Sequence, residues 1–425
     1  MFSRDVPALC LIGTSNAVYR HGYAQALRDN PAFARVADLS LGSSSSALFA
    51  YRLAEIEVSG FDLCLLDFAC NDTSLHDDGA LDLMEIQSQL EFAIAEIAGQ
   101  GCLPVLLILP IRKALPDGGV VAQLYRQVAE RCCIPFLDGY ALLGTLAAQG
   151  LHPWDLFQDD MHLHPDAARP IGAVLASAMR DIWHRCRLLG QTELPGARYR
   201  CIHAPVLAGG GLPLKPVATS LLTAQSLWLA GSVHADLSLA EDEAVTAIAL
   251  NFAGSDGVLV LYGETTTRVT LTIEHSQGPR AVCGVLPVRP AVKARAGALR
   301  LSLEPTAGIN SLSQRSGSPP EAALLGLIIR RPARLTMPLF YPKAPDLLSI
   351  AASAFTDLAF PLQALLPRHL VRAAYLALLR RAPDPHGAET AQALLIQQGL
   401  TVGLQKLLER IVTSPEYHQR PGSTG

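Results

Sequence analysis

Short apolar runs recur along the first 185 residues, separated by stretches in which apolar residues return at helical spacing. The runs Ala8–Ile12, Val36–Leu41, Leu63–Asp67, Pro104–Leu109 and Pro135–Asp138 read as strands buried on both faces. Between them Ala80–Ile97 and Val120–Cys132 have helical periodicity, and Pro165–Trp183 closes the unit, with Pro165 suited to a first helical turn. Strands alternating with helices predict βαβ units: an α/β fold, three layers in α/β/α order around a parallel sheet.

From about 195 to 345 the helical period fades. Val245–Phe252, Gly257–Tyr262, Arg268–Ile273, Ala298–Leu303 and Leu324–Arg330 read as strands set between Gly, Pro and Ser clusters, the pattern of a β-sandwich. Gly209–Gly211 and Ser316–Pro320 read as exposed loops. Asp346–Pro367 is apolar but broken by Asp357 and Pro361, and reads as a packing linker. Arg368–Arg381, His386–Gln398 and Thr401–Val412 read as three short helices punctuated by Pro383, Pro385, Gly387 and Gly399. The expected organisation is therefore 1–190, an α/β domain; 195–345, a β-sandwich-like domain; 346–367, a linker; and 368–420, a small helical domain.

Composition narrows the functional classes. Of 425 residues half are hydrophobic and 17% charged, which argues against disorder, and a net charge of −4 offers no basic face for nucleic acid. No run reaches the roughly 18 apolar residues of a membrane span, and the N-terminus shows no signal peptide, so a cytoplasmic location is expected. The nine cysteines fall mostly within apolar runs and form no C-x-x-C pair, so neither zinc nor a disulfide framework is indicated. No cofactor is called for.

In open α/β sheets ligands bind beyond the carboxyl ends of the strands. Ser15, Gly42 and Asn71 each follow a predicted strand, so the pattern brings them to one rim. Downstream, Asp159 precedes His162 by three residues, placing a base and an orienting carboxylate on one segment, as an activated serine needs. Each residue also has an ordinary reading: Ser15 as a helix cap, Gly42 and Asn71-Asp72 as loop residues, Asp159 or Asp160 as the cap of the helix at Pro165. Asp160 and His164 are rivals for the dyad. His162 and His164 lack a third ligand with metal spacing. Ser43–Ser46 suit either sugar hydroxyls or a flexible turn.

Gly13-Thr14-Ser15-Asn16, Leu41-Gly42, Ala69-Cys70-Asn71-Asp72 and Asp159-Asp160-Met161-His162 together resemble the four blocks of the SGNH (GDSL-like) hydrolase family, over 1–185. Thr14 stands where that family has aspartate, and Ala69 where it has glycine. The resemblance implies Ser15 as nucleophile, His162 as general base and acid, and Asp159 as its orienting carboxylate. It also implies the Ser15 and Gly42 N–H groups and the Asn71 amide as oxyanion donors. The function it implies is a serine esterase removing O-acyl groups, O-acetyl foremost, from a carbohydrate through an acyl-serine. The alternatives are an O-acetyltransferase with the same triad and a non-catalytic glycan-binding or assembly protein. An acylated carbohydrate or other small ester is the expected partner.

Tyr375-Leu-x-Leu-Leu379, Arg381-x-Pro383-Asp384-x-x-Gly387 and Ser414-Pro-Glu-Tyr417 resemble a second family, a small helical bacterial domain of uncharacterised function. It assigns no chemistry, and suggests a protein partner at the C-terminal helices.

Overall fold

The structure, a computed structural model, describes residues 6–341 except 56, 149–152, 210, 231–233, 272–280 and 306–319. It further describes 371, 374, 375, 378, 379, 383–398 and 400–418. The expected linker 346–367 lies outside the described residues.

Five parallel strands, β1 (Ala8–Gly13), β2 (Arg35–Asp38), β3 (Leu63–Asp67), β4 (Leu103–Ile108) and β5 (Phe136–Asp138), form a sheet in the order β2-β1-β3-β4-β5. This is a doubly wound order, with the strand sequence reversing beside β1. Every residue of β1, β3 and β4 is buried, which explains why these strands read as unbroken apolar runs. The helices around the sheet are α1 (Ser15–Val18), α2 (Tyr23–Arg28), α3 (Leu48–Arg52), α4 (Ala69–Asp77), α5 (Leu83–Gly99), α6 (Gly119–Arg131), α7 (Gly139–Ala148) and α8 (Pro165–Arg185). α5 begins three residues later than its periodicity suggests, because the Asp82 carboxylate caps it by accepting from Glu85 N at 2.8 Å. Pro165 does open α8, and the cap before it is the ring of His164, which accepts from Asp166 N.

Ten further strands follow: β6 (Arg187–His203), β7 (Leu214–Ala218), β8 (Thr223–Ala230), β9 (Ala235–Ser238), β10 (Ala244–Asp256), β11 (Val258–Tyr262), β12 (Thr266–Thr270), β13 (Cys283–Lys293), β14 (Ala298–Glu304) and β15 (Glu321–Tyr341). They build two antiparallel sheets. One runs β13-β10-β15-β8-β7 with β6 also paired to β15, and the other runs β12-β11-β14-β9. Alternate residues of β10 and β15, such as Val245, Ile248, Leu250 and Leu327, meet Leu259, Leu261 and Leu301 of the second sheet in one core. That is the sandwich the sequence predicts. The opposite face of the larger sheet carries Ala247, Ala249, Val285 and Ile328, and these join the core of the parallel-sheet layer instead. β15 is much longer than the predicted Leu324–Arg330, and no strand was expected where β6 runs. Beyond Arg330, β15 pairs only with β6 among the described residues, so Pro332 and Pro338 sit where the missing N–H breaks no second ladder.

Polar links cross the same boundary. The fully buried Arg52 donates to Leu39 O and to Leu221 O and pairs with Glu55. Glu85 accepts from Tyr199 and pairs with Arg330. Pro385–Gln398 and Leu400–Val412 are helices close to their predicted limits, with Asp384 capping the first through Gly387 N. Val371, Leu379, Leu395, Leu407 and Ile411 form a small core there. No helix among the described residues is long and apolar enough to cross a membrane, and all nine cysteines are free thiols, most of them buried.

Candidate active site

β1 ends at Gly13 and the chain turns directly into α1, whose first residue is Ser15. Space is tight beneath this turn. A Cβ on Gly13 would lie 3.1–3.3 Å from Ala17, Ser40 and Asp67. Ser15 Oγ lies 2.9 Å from His162 Nε2, and His162 Nδ1 lies 2.9 and 3.0 Å from the Asp159 carboxylate oxygens. The Asp159–His162 segment is shaped by Asp159 itself, which also accepts from Met161 N and His162 N at 2.8 Å. Burial works against ionisation of Asp159, yet these N–H donors and the His162 ring together hold its carboxyl below the usual range. With Nδ1–H donated to Asp159, Nε2 is left as the acceptor facing the serine hydroxyl.

Asn16 is a residue of the candidate site that the sequence hid. Its amide donates to Met161 O at 3.0 Å and its carbonyl accepts from Leu163 N at 3.0 Å, so it clasps the backbone on both sides of His162. Only its place next to Ser15 hinted at this. Tyr19 is another such residue: half exposed, it meets the His162 ring edge-on at 4.8 Å between centroids.

The rivals for the dyad have other partners. Asp160 receives Arg112 through Nε and Nη2, and His164 caps α8. Neither Asp159 nor Asp160 caps that helix.

Gly42 and Asn71 reach the same rim. Leu41 N donates to Gly13 O, tying the Gly42 loop to the turn before Ser15. A Cβ on Gly42 would meet nothing within 4 Å, so its outer face is open, while the next residue, Ser43, has φ +52°. Among the described residues no group accepts from Gly42 N–H. Asn71 is not in a loop. It occupies the first turn of α4, which starts straight after β3. The periodicity of α4 was unreadable because its inward face is polar: Asp72 is fully buried and accepts from Ser46 N at 2.9 Å and Tyr125 OH at 2.7 Å. Asn71 Oδ1 is buried with no hydrogen-bond partner among the described residues. Two of the serines beside Gly42 are committed to the protein itself. Ser44 accepts from Val285 N and donates to Gly42 O, and Ser46 donates to Gln89 Oε1.

Two buried carboxylates lie under the site. Burial raises the Asp67 pKa to about 7, against the hydrogen bond from Tyr23 OH at 2.5 Å. It raises that of Asp72 to about 6. Among the described residues no three His, Cys, Asp or Glu side chains converge as a metal site.

No protein-family model matches the chain, and no curated protein is similar to it. Solved structures do resemble it. A two-domain esterase (CEX) active on acetylated mannans superposes with a TM-score of 0.51 at 10% identity, over 77% of this chain and 91% of that one. The chain shares that fold. A catalytic mutant of Axe2, an acetylxylan esterase from Geobacillus stearothermophilus, aligns over 41% of this chain and 93% of its own at 17% identity and a TM-score of 0.34.

Proposed function

We propose that this chain is a serine esterase of the SGNH type that removes O-acyl groups, O-acetyl foremost, from a carbohydrate. The observation that carries the reading is the continuous hydrogen-bond chain Ser15 Oγ–His162 Nε2 and His162 Nδ1–Asp159, each link about 2.9 Å. The shared fold with an esterase active on acetylated mannans supports the reaction class.

In this reading His162 Nε2 takes the Ser15 proton as Oγ attacks the acyl carbonyl. Asp159 keeps the ring in the required tautomer and stabilises the imidazolium. Negative charge developing on the carbonyl oxygen is met by the Ser15 N–H at the start of α1, the Gly42 N–H and the Asn71 amide, fixed donors that need no reorganisation. His162 returns the proton to the departing sugar hydroxyl. It then takes a proton from water as the water attacks the acyl-Ser15, and hands it to the departing Ser15 Oγ as the carboxylic acid leaves. Residues 1–190 carry this chemistry, and 195–345 brace the Gly42 loop through Ser44 and Val285.

Hydrolysis of p-nitrophenyl acetate tests the reading. Wild type turns the ester over and Ser15→Ala falls to the uncatalysed rate; equal rates in both refute it. Acetate release from acetylated mannan and acetylated xylan then ranks the natural esters. Adding an unacetylated acceptor glycan measures transfer against hydrolysis.

A further inference from the structure

Between the pairs Val245–Val292 and Ala247–Pro287 the β10–β13 ladder breaks its register, with one residue on β10, Thr246, opposite four on β13, Val288–Ala291. Such a break re-aims a side chain. Here it turns Thr246 toward the parallel-sheet layer, at the wall of a cavity of about 220 Å³ between β13, Arg330 of β15 and the start of α5. Thr246 is 2% exposed and its hydroxyl has no hydrogen-bond partner among the described residues. A hydroxyl left unpaired in a packed interior is costly, and threonine there asks for a partner from outside the chain.

The other polar groups around the cavity are partly committed. Glu85 accepts from Gln89 and Tyr199 on one oxygen and from Arg330 on the other. Asp82 uses one oxygen as the α5 cap, and Arg289 uses one N–H on Gly79 O. What remains is a set of guanidinium donors from Arg289 and Arg330, an acceptor oxygen on Asp82, and a hydroxyl that serves as both. Two cationic and two anionic side chains balance, which disfavours a small anion or cation. Pro287, Val288 and Pro290 supply an apolar wall. Vicinal hydroxyls above an apolar ring face answer this combination. The volume lies below the roughly 300–1,000 Å³ of drug-sized sites and so limits the occupant to one ring.

We propose that this cavity binds one neutral sugar residue. It lies past the carboxyl end of α4, whose first turn carries Asn71, so about 9 Å of helix separates the two ends at 1.5 Å per residue. The site therefore holds a unit of the glycan away from the ester being cleaved. The assignment rests on the carbohydrate half of the proposed function and makes no use of Ser15.

Isothermal titration of the full chain with methyl β-mannoside, methyl β-xyloside and methyl β-glucoside tests it. At least one binds saturably in the millimolar range. Thr246→Val, which removes the unpaired hydroxyl at constant shape, weakens that binding about fivefold with an unchanged or raised Tm. Ala291→Leu, which fills the cavity, abolishes it. Both variants keep wild-type hydrolysis of p-nitrophenyl acetate. The proposal is overturned if no glycoside binds, if binding is equal in wild type and both variants, or if only acetate or phosphate binds. Glycoside binding that follows the variants in a protein without esterase activity would sink the esterase reading and leave this one standing.

Discussion

A single side chain ties the segment that carries His162 to the turn that carries Ser15. Asn16 is one residue from Ser15 and grips the chain on either side of His162. Replacing it by alanine removes both clasps without touching the reacting atoms. Asn16→Ala should lower kcat about 10- to 100-fold, the order of loss that follows a shift of about 1 Å in a catalytic group. KM should change much less, and steady-state kinetics on one ester separates the two. Asp159→Asn should lower kcat by roughly 10²–10⁴-fold, toward the smaller figure because its side chain is half exposed. Asp159 and His162 could be paired from the sequence because they share four residues of chain. Asn16 could not, since its partners lie about 145 residues away and an amide that clasps backbone leaves no pattern in its own neighbourhood.

Elements tell a parallel story. β1, β3 and β4 were legible because burial on both faces writes an apolar run, whereas α4 hides a buried aspartate inside a polar helix and read as a loop. β6 and the full length of β15 were masked by Pro195, Pro332 and Pro338, which normally end a strand and here lie on an edge or outside a second ladder. Long-range pairing, not local preference, extends them. One close approach between elements bears on the chemistry. A Cβ on Gly284 of β13 would come within 2.7 Å of Gly42 O and 2.8 Å of Ser43 O, and within 2.7 Å of the Phe252 ring. Gly284→Ala therefore has to push the Gly42 loop, and should cost about 1–3 kcal/mol of stability and about tenfold or more in kcat. Gly42→Ala is the contrasting case. Its Cβ enters open space, so Tm should hold while kcat/KM falls through crowding of the substrate. Thermal melts and kinetics on the pair separate a displaced loop from an obstructed cleft.

Across the whole molecule, buried carboxylates tie stability to pH. Folded Asp67 and Asp72 titrate near 7 and 6, above the value of about 3.9 expected in the unfolded chain. Both bind their protons more tightly when folded, so their contribution is fully present below about pH 4 and is lost as pH rises through 6 and 7. Tm should fall between pH 5 and pH 8, and Asp67→Asn should flatten the upper part of that slope in calorimetric melts. Arg52, buried between Leu39 and Leu221, joins the two halves, and Arg52→Ala should cost about 1–3 kcal/mol by leaving those two carbonyls without their donor, while the exposed Glu55 rehydrates. None of this was readable from composition, because a lone arginine in an apolar segment does not announce its partners. The single core beneath both the parallel sheet and the larger antiparallel sheet has one more consequence. The half bearing Ser15 is not a portable part. Cut out as residues 1–190, it would carry its half of a sealed joint into water, and size-exclusion chromatography of that fragment should find aggregate where the full chain gives a discrete species. Grafting this chemistry onto another scaffold would mean moving the joint with it.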